Sequence, residues 1–104
     1  MHYYLLQLIP PRATFATDMT DTERAVMGRH AEYWSRLNGE KLVLFYGPVN
    51  DPKGAWGVAV VALADGQTPE EIRAGDPVYR DGLGFDYRIL PMIQALGSAV
   101  ETSS

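Results

Sequence analysis

Two apolar runs joined by a turn constrain the fold of this 104-residue chain most strongly. Residues 41–47 (KLVLFYG) and 56–63 (WGVAVVAL) are short and β-prone, and residues 50–54 (NDPKG) have the composition of a hairpin connection. Both runs are apolar on both faces, so neither face of an antiparallel sheet built from them can be left to water. The sequence therefore predicts a hairpin within a sheet that is covered on both sides.

The most regular pattern in the chain is that of a long amphipathic helix after residue 20. Thr20 or Asp21 can cap its start, and Glu23 stands three residues after Thr20, as in a capping box. Apolar residues then recur at three- and four-residue spacing until Asn38-Gly39 ends the pattern. These residues are Val26, Met27, Ala31, Trp34 and Leu37. The pattern predicts a helix that buries this stripe against the sheet.

The remaining segments supply two strands and a second helix. Residues 3–9 are predicted to form a first strand that Pro10-Pro11 ends, and residues 11–19 are predicted to be a loop. A short helix is predicted from Thr68-Pro69 to Gly75, and residues 83–92 (LGFDYRILPM) alternate as a last strand. The order predicts an α+β fold, the ferredoxin-like βαββαβ arrangement with an antiparallel four-stranded sheet. Residues 1–95 are expected to form this single domain, and residues 96–104 a short tail with a fraying helical turn.

A four-stranded sheet with both helices on one side leaves its other face bare. The side chains on that face are expected to include Leu42 or Val43, Val58 or Ala59, and Phe85. An apolar patch of this kind is larger than a monomer usually tolerates. A homodimer in which two copies pack sheet against sheet is therefore predicted.

Composition argues against several classes of partner. The formal net charge is −4 with both signs interspersed, so no basic stripe is available for nucleic acid. The absence of cysteine removes disulfides and thiolate chemistry. Neither a leader pattern nor a long apolar span is recognisable, so no membrane partner is expected and the cytoplasm is the default location. His2 and His30 are the only histidines, and no carboxylate pair is spaced with them as ligands, so no metal or other cofactor is expected.

His30 is the residue that departs from the apolar stripe of the long helix. It stands four residues after Val26 and four before Trp34, so its imidazole is expected to face inward. Asp76, just before Pro77, could hydrogen bond one ring nitrogen, fix the tautomer and raise the basicity of the other nitrogen. A base with an orienting carboxylate and no evident nucleophile suits proton abstraction beside a carbonyl or from a phenol. If the two side chains meet, His30 would be such a base and Asp76 its orienting carboxylate.

These candidates also have a purely structural interpretation. His30 could be a buried histidine with satisfied hydrogen bonds, and Asp76 could be a turn former that bonds the local backbone. Four aromatic residues could line a pocket or hydrogen bond a developing oxyanion, or could be core and dimer contacts. They are Tyr46, Trp56, Tyr79 and Tyr87. The substrate-binding residues predicted for an enzyme are Tyr46, Gly47, Pro48, Trp56 and Tyr79.

Four segments of the chain carry a family resemblance when taken together. They are residues 24–37 with His30, residues 47–54 (GPVNDPKG), the triplet Gly75-Asp76-Pro77 and the triplet Ile89-Leu90-Pro91. In this order they resemble the YCII-related family of the dimeric α+β barrel superfamily. The resemblance implies a dimer with a pocket beside each sheet and a His-Asp pair that corresponds to His30 and Asp76. The long loop 11–19, and Pro91-Met92 in place of Pro-Trp, depart from the family pattern near the expected pocket.

Two hypotheses about function remain open on the sequence. In the first, the protein is a cofactor-independent enzyme of lyase, isomerase or dehydrochlorinase type that acts on a small molecule. His30 is then the general base and Asp76 orients it. In the second, the protein is a non-catalytic dimeric module that binds a small ligand or acts as an accessory, and the pair only ties the second helix to the first. Contact between the two side chains beside an open pocket would favour the first hypothesis.

Overall fold

A four-stranded antiparallel sheet is the framework of the computed structural model, which describes residues 1–98 and residue 100. The strands are β1 (His2–Ile9), β2 (Val43–Val49), β3 (Trp56–Leu63) and β4 (Asp86–Pro91). The helices are α1 (Phe15–Asp18), α2 (Asp21–Gly39), α3 (Pro69–Gly75) and α4 (Pro77–Arg80). The spatial strand order is β2-β3-β1-β4. This is the ferredoxin-like topology, and the predicted α+β fold is confirmed.

Helix α2 begins with the predicted capping box. Thr20 Oγ1 accepts a hydrogen bond from the backbone N–H of Glu23 at 3.1 Å, and the backbone N–H of Thr20 donates to Glu23 Oε1 at 2.9 Å. Two of the otherwise unpaired N–H groups of the first turn are satisfied in this way. Val26, Trp34 and Leu37 are the buried residues of the helix, and Met27 packs against the same core, whereas Ala31 of the predicted apolar stripe is exposed.

The core lies between α2 and one face of the sheet. Leu6 of β1 pairs with Ala59 of β3, and Leu8 pairs with Gly57, so these residues share a face. The same face carries Val61, which is fully buried. Alternation along the strands puts Leu5 and Val60 on the opposite face.

An apolar row crosses that opposite face on all four strands. Val60 pairs with both Phe45 and Leu5, and Leu5 pairs with Leu90. Phe45 is 56% exposed and Leu90 is 39% exposed, so both ends of the row are open to solvent. A bare apolar face therefore exists, and Val58, one of the two alternatives expected there on β3, lies on it with Val60. The other four residues named for this face belong to the helix side. Those four are Leu42, Val43, Ala59 and Phe85.

A local irregularity of the sheet explains the positions of Leu42 and Val43. The ladder between β2 and β3 shifts its register between Val43 and Phe45, which is the irregularity of a β-bulge. A strict alternation counted from the sequence cannot place such a shift. Phe85 lies one residue before β4 and packs edge-on against Phe15, with ring centroids 5.0 Å apart.

Two short helices were not expected from the sequence. The predicted loop 11–19 contains α1, in which Phe15 is only 4% exposed. Helix α4 follows Asp76 directly, and the Asp76 side chain caps it by accepting from the backbone N–H of Val78 at 3.2 Å. Helices of four residues show no periodicity that a sequence pattern could reveal.

The strand bounds also differ from the expected ones. β2 covers Val43–Val49 rather than 41–47, since Lys41 has a φ of 63°, which no strand residue adopts. β4 covers Asp86–Pro91 rather than 83–92, because Gly82 and Gly84 both have a positive φ in the turn that precedes it. The strand Trp56–Leu63 has the predicted bounds.

An ionic cluster fastens the segment around α1 to the start of α2. Arg12 donates to both carboxylate oxygens of Glu23 at 2.8 Å each, and its Nε donates to Asp18 at 2.8 Å. The hydrogen bond with Arg12 lowers the pKa of the Glu23 carboxyl to about 2. The bidentate contact fixes direction as well as distance, so the orientation of this segment against α2 is well defined.

Only part of the helical turn that was predicted at the end of the chain falls on described residues. The backbone N–H of Val100 donates to the Gly97 carbonyl at 3.1 Å, which is a single turn. The rest of the expected helical turn falls on residue 99 and residues 101–104, which lie outside the described residues. No helix among residues 1–98 is both long and apolar enough to cross a membrane.

Two glycine substitutions are predicted to change stability in opposite directions. At Gly54, where φ is 128°, an added Cβ would lie 2.8 Å from the Ala13 carbonyl oxygen, so Gly54→Ala should lower the free energy of unfolding by about 1–3 kcal/mol. Gly28 is an exposed residue of α2 with no atom within 4 Å of an added Cβ. Gly28→Ala should therefore raise the free energy of unfolding by about 1 kcal/mol. Urea unfolding followed by circular dichroism measures both changes. Equal shifts in one direction would contradict the backbone geometry described for these two sites.

Candidate functional site

His30 lies on the inward side of α2, one turn from Trp34. Its side chain is 19% exposed, whereas Trp34 is 3% exposed and part of the core. The helix period brings both rings to the same face, and their centroids are 6.5 Å apart. His30 therefore stands at the border between the core and an accessible space.

Asp76 is the only buried charged residue in the described part of the chain. Four groups donate hydrogen bonds to its carboxylate. They are His30 Nδ1 at 2.8 and 2.9 Å, Trp34 Nε1 at 2.8 Å, the Tyr87 hydroxyl, and the Val78 backbone N–H at 3.2 Å. A carboxylate has about four acceptor sites, so its hydrogen-bonding capacity is filled without water. The predicted contact between His30 and Asp76 is present.

The hydrogen bonds keep this carboxylate ionised despite its burial. Burial alone would raise the pKa of Asp76, but the contact with His30, followed by those with Tyr87 and Trp34, brings the pKa below its ordinary value. The pKa of the Tyr87 hydroxyl is raised well above its usual range by burial and by the charge of Asp76. At neutral pH the site therefore holds a carboxylate anion and a neutral phenol.

The charge of Asp76 determines the tautomer of the neutral His30 ring. An ionised carboxylate can only accept hydrogen bonds, so Nδ1 of His30 must carry a proton. The lone pair of the neutral ring is then on Nε2. Nε2 has no hydrogen-bond partner among the described residues, and every fully buried side-chain nitrogen or oxygen in that part of the chain has one. Nε2 is therefore in contact with solvent.

The close approach of α3 to α2 brings Asp76 to this position. The Tyr33 hydroxyl of α2 donates to the Ile72 carbonyl of α3 at 2.8 Å. An added Cβ at Gly75 would lie 2.6 Å from the same hydroxyl, so only glycine allows the two helices to approach this closely. Asp76 is the next residue, and Pro77 then begins α4.

A cavity of about 310 Å³ opens beside His30, between the sheet and helices α1 and α2. Leu6 and Leu8 of the sheet, and Phe15 and Met19 around α1, contribute to its walls. No lysine, arginine, aspartate or glutamate is among the lining residues found in the described part of the chain. The cavity is thus an apolar space with an imidazole at its edge.

Four of the five residues predicted to bind substrate line this cavity. They are Tyr46, Gly47, Pro48 and Trp56. The Tyr46 ring lies against Trp34, with centroids 5.8 Å apart. Their contact with a substrate stays a prediction, since no ligand is present.

Tyr79 is not brought to the cavity. It lies on α4, where the neighbouring Val78 is the residue that points into the core. The Tyr79 ring is 38% exposed and is covered on one side by Arg73, whose guanidinium carbon lies 5.3 Å from the ring centre. Tyr79 therefore does not line this cavity, and its contact with a substrate stays a prediction.

Three further residues have roles at the site that were not predicted from the sequence. Trp34 and Tyr87 bind the buried carboxylate, and Phe15 closes one side of the cavity. The spacing of Trp34 from His30 and the alternation of Tyr87 in its strand were signals that both rings face the same core. Nothing in the sequence indicated that the segment containing Phe15 would fold over the cavity.

No three histidine, aspartate or glutamate side chains come together as potential metal ligands within residues 1–98. The described polar groups at the cavity edge are ring nitrogens and hydroxyls. They suit hydrogen bonding to an organic ligand.

The chain matches a known protein family. The family model of the YCII-related domain matches residues 1–93, which includes the sheet, all four helices and the cavity. No curated protein matches the chain.

Removing the charge of Asp76 is predicted to destabilise the fold and to flatten its acid dependence. Asp76→Asn replaces an acceptor of four hydrogen bonds by an amide that cannot accept all of them, so the free energy of unfolding should fall by about 3 kcal/mol. Because the folded-state pKa is lowered, the stabilisation is complete above the ordinary value of 3.8 and is lost as the pH falls below it. Urea unfolding between neutral pH and pH 3 measures both effects.

Asp65→Asn is the matched control, because Asp65 binds the other histidine, His2, at 2.6 Å but its side chain is 98% exposed. Its effect should stay below about 0.5 kcal/mol. An Asp76→Asn protein as stable as this control would mean that the buried carboxylate does not hold the structure together.

Proposed function

This chain belongs to the YCII-related domain family, and from that premise we propose that it is a small-molecule enzyme that needs no cofactor. His30 is the general base, and Asp76 is a positioning residue that acts through His30. The observation that carries the proposal is the pairing of His30 Nδ1 with Asp76 at 2.8 Å while Nε2 stays open to solvent. Chemistry of lyase, isomerase or dehydrochlorinase type requires such a base.

The proposed reaction begins with a proton transfer to Nε2. The proton comes from a carbon next to a carbonyl, or from a phenol, and the bonding electrons remain on the substrate as an enolate or phenolate. The ring of His30 becomes a cation, which the Asp76 carboxylate stabilises through the Nδ1 hydrogen bond. In an isomerase the same proton returns at a second atom, and in a lyase or dehydrochlorinase a leaving group departs with its electron pair.

The contacts of Asp76 support this role. Trp34 and Tyr87 donate to one carboxylate oxygen and Val78 donates to the other, so the carboxylate cannot rotate away from His30. A fixed partner gives the imidazole one tautomer and one direction before the substrate arrives. Preorganisation of this kind is what separates a catalytic pair from two residues that meet by chance.

One specific observation favours the alternative of a non-catalytic binding module. The same contacts join α2, α4 and β4, so the pair has a structural role whether or not it reacts. In that case the protein binds a small ligand in the cavity and leaves it unchanged. Measured proton exchange separates the two functions.

We also propose that the protein forms a homodimer through the bare face of the sheet. The row Phe45, Val60, Leu5 and Leu90 crosses that face, and its ends are exposed. Packing the same row of a second copy against it would bury apolar side chains that otherwise contact water. The arrangement would complete a two-sheet α+β barrel.

Exchange of substrate protons with solvent is the predicted signature of the base. In D₂O, small neutral ketones incubated with the protein should incorporate deuterium at the carbon next to the carbonyl, as followed by proton NMR. His30→Ala should reduce the rate by about 10²–10⁴, the usual contribution of a general base. Asp76→Asn should reduce it less and change the pH profile of the remaining rate.

His2→Ala is the control for that experiment, since it removes the only other histidine and leaves the cavity unchanged. Its exchange rate should equal that of the unsubstituted protein. An unchanged rate in a folded His30→Ala protein would refute the general base, and ligand binding without any exchange would support the binding module.

The dimer is predicted to depend on Phe45. Phe45→Asp adds a charge to the exposed end of the apolar row, so sheet-to-sheet packing would bury an unpaired carboxylate. Light scattering should give twice the 11.5 kDa mass of the chain for the unsubstituted protein and the single mass for the variant. The control is Ile93→Asp, which places the same charge on a fully exposed apolar residue outside the strands. A monomeric unsubstituted protein would contradict the proposal.

A further inference from the structure

The side chains that line the cavity beside His30 restrict the charge of a ligand that can bind there. Five lining residues have polar side chains, namely His30, Trp34, Tyr46, Trp56 and Tyr87. Three of these groups are already bonded within the described structure. The Trp34 N–H and the Tyr87 hydroxyl bind Asp76, and the Trp56 N–H binds Asp51 at 3.1 Å.

Two polar groups are left to meet a ligand. They are Nε2 of His30, which has no hydrogen-bond partner among residues 1–98, and the hydroxyl of Tyr46, a residue that is 42% exposed. No lysine or arginine lines the cavity to compensate the lost hydration of an anionic ligand, which would also approach the negative charge of Asp76 behind the neutral His30 ring. A cationic ligand would also find no carboxylate, because the oxygens of Asp76 are occupied by four donors and do not line the cavity.

The volume of the cavity indicates the size of the ligand. An apolar cavity of about 150 Å³ accommodates one benzene ring. The cavity here is about 310 Å³, which is close to twice that volume. Its walls include the planar rings of Trp34 and Tyr46, which are inclined by only 33° to each other. A ligand of two fused rings matches this volume, and its flat faces can pack on the aromatic side chains that line the cavity.

The polar groups indicate where the ligand carries its own polar atom. Nε2 of His30 bears a lone pair, so it accepts a hydrogen bond and requires a donor on the ligand. The Tyr46 hydroxyl can donate to the oxygen of the same ligand group. We propose that this cavity takes an uncharged, flat, apolar molecule of about two fused rings, with one hydroxyl or equally acidic hydrogen directed at His30 Nε2.

The proposed substrate class rests on the proposed function at one point, which is that Nε2 of His30 accepts a hydrogen bond from the ligand. The size and neutrality of the ligand follow from the lining residues and the volume. The two proposals can therefore fail separately.

Calorimetric binding of matched probes to the full chain at neutral pH tests the proposal. β-Naphthol is the uncharged probe with a donor, naphthalene lacks the donor, and β-naphthoate and naphthylmethylammonium carry opposite charges. β-Naphthol should bind about tenfold more tightly than each of the other three, the ratio expected for one hydrogen bond of about 1.4 kcal/mol or for an uncompensated charge. Phenol and phenanthrol, with one and three rings, should both bind more weakly than β-naphthol.

His30→Leu provides the second comparison. In this variant β-naphthol should lose its advantage over naphthalene, because the acceptor is gone and the apolar walls remain. His2→Leu is the control and should leave all affinities unchanged. Tyr46→Phe tests the other open hydroxyl without touching the contacts of Asp76, and it should weaken β-naphthol and leave naphthalene unaffected.

The outcomes separate the two proposals. Tighter binding of either charged probe, or of phenol, would overturn the substrate class even if deuterium exchange identifies His30 as a base. A preference for β-naphthol that persists in a folded His30→Leu protein would overturn Nε2 as the acceptor, while leaving the neutral two-ring class in place. The probe comparison on the unsubstituted protein decides the class without any variant.

Discussion

The buried carboxylate of Asp76 is the interaction on which the rest of this structure depends. It has no exposed surface, and its charge is balanced by hydrogen bonds from α2, α4 and β4 instead of by a lysine or arginine. A buried charge is costly unless its acceptor sites are filled, so the elements that supply the donors are constrained to meet at one point. The point at which they meet is the edge of the cavity.

The same constraint connects stability with the proposed chemistry. Because Trp34 and Tyr87 hold the carboxylate, the carboxylate can hold His30, and one nitrogen of His30 is left for a ligand. On the opposite side, the contacts of Arg12 with Glu23 and Asp18 bring the segment around Phe15 over the apolar space. The site is thus built from one buried polar cluster and one surface ionic cluster, with apolar side chains between them.

Much of this arrangement could be predicted from the sequence, and the failures have physical causes. The capping box at Thr20 and the strand Trp56–Leu63 depend on local spacing, which a sequence displays directly. Helix periodicity predicts only that His30 faces inward, and its pairing with Asp76, 46 residues away, was implied by the family resemblance. The helices around Phe15 and Tyr79 span a single turn each and exist through tertiary contacts, so no local pattern announced them. Residues of the bare sheet face were misassigned for a related reason, since a bulge in β2 shifts the alternation.

The protonation of the two ring nitrogens of His30 tests the central claim most directly. With nitrogen-15 label in the histidines, long-range proton–nitrogen NMR distinguishes a protonated ring nitrogen from one that bears a lone pair, and exposed His2 provides the internal reference. In the neutral ring, Nδ1 of His30 should carry the proton and Nε2 the lone pair, and Asp76→Asn should abolish this preference. A neutral His30 with its proton on Nε2 would contradict the account, because the nitrogen facing the cavity could then accept nothing.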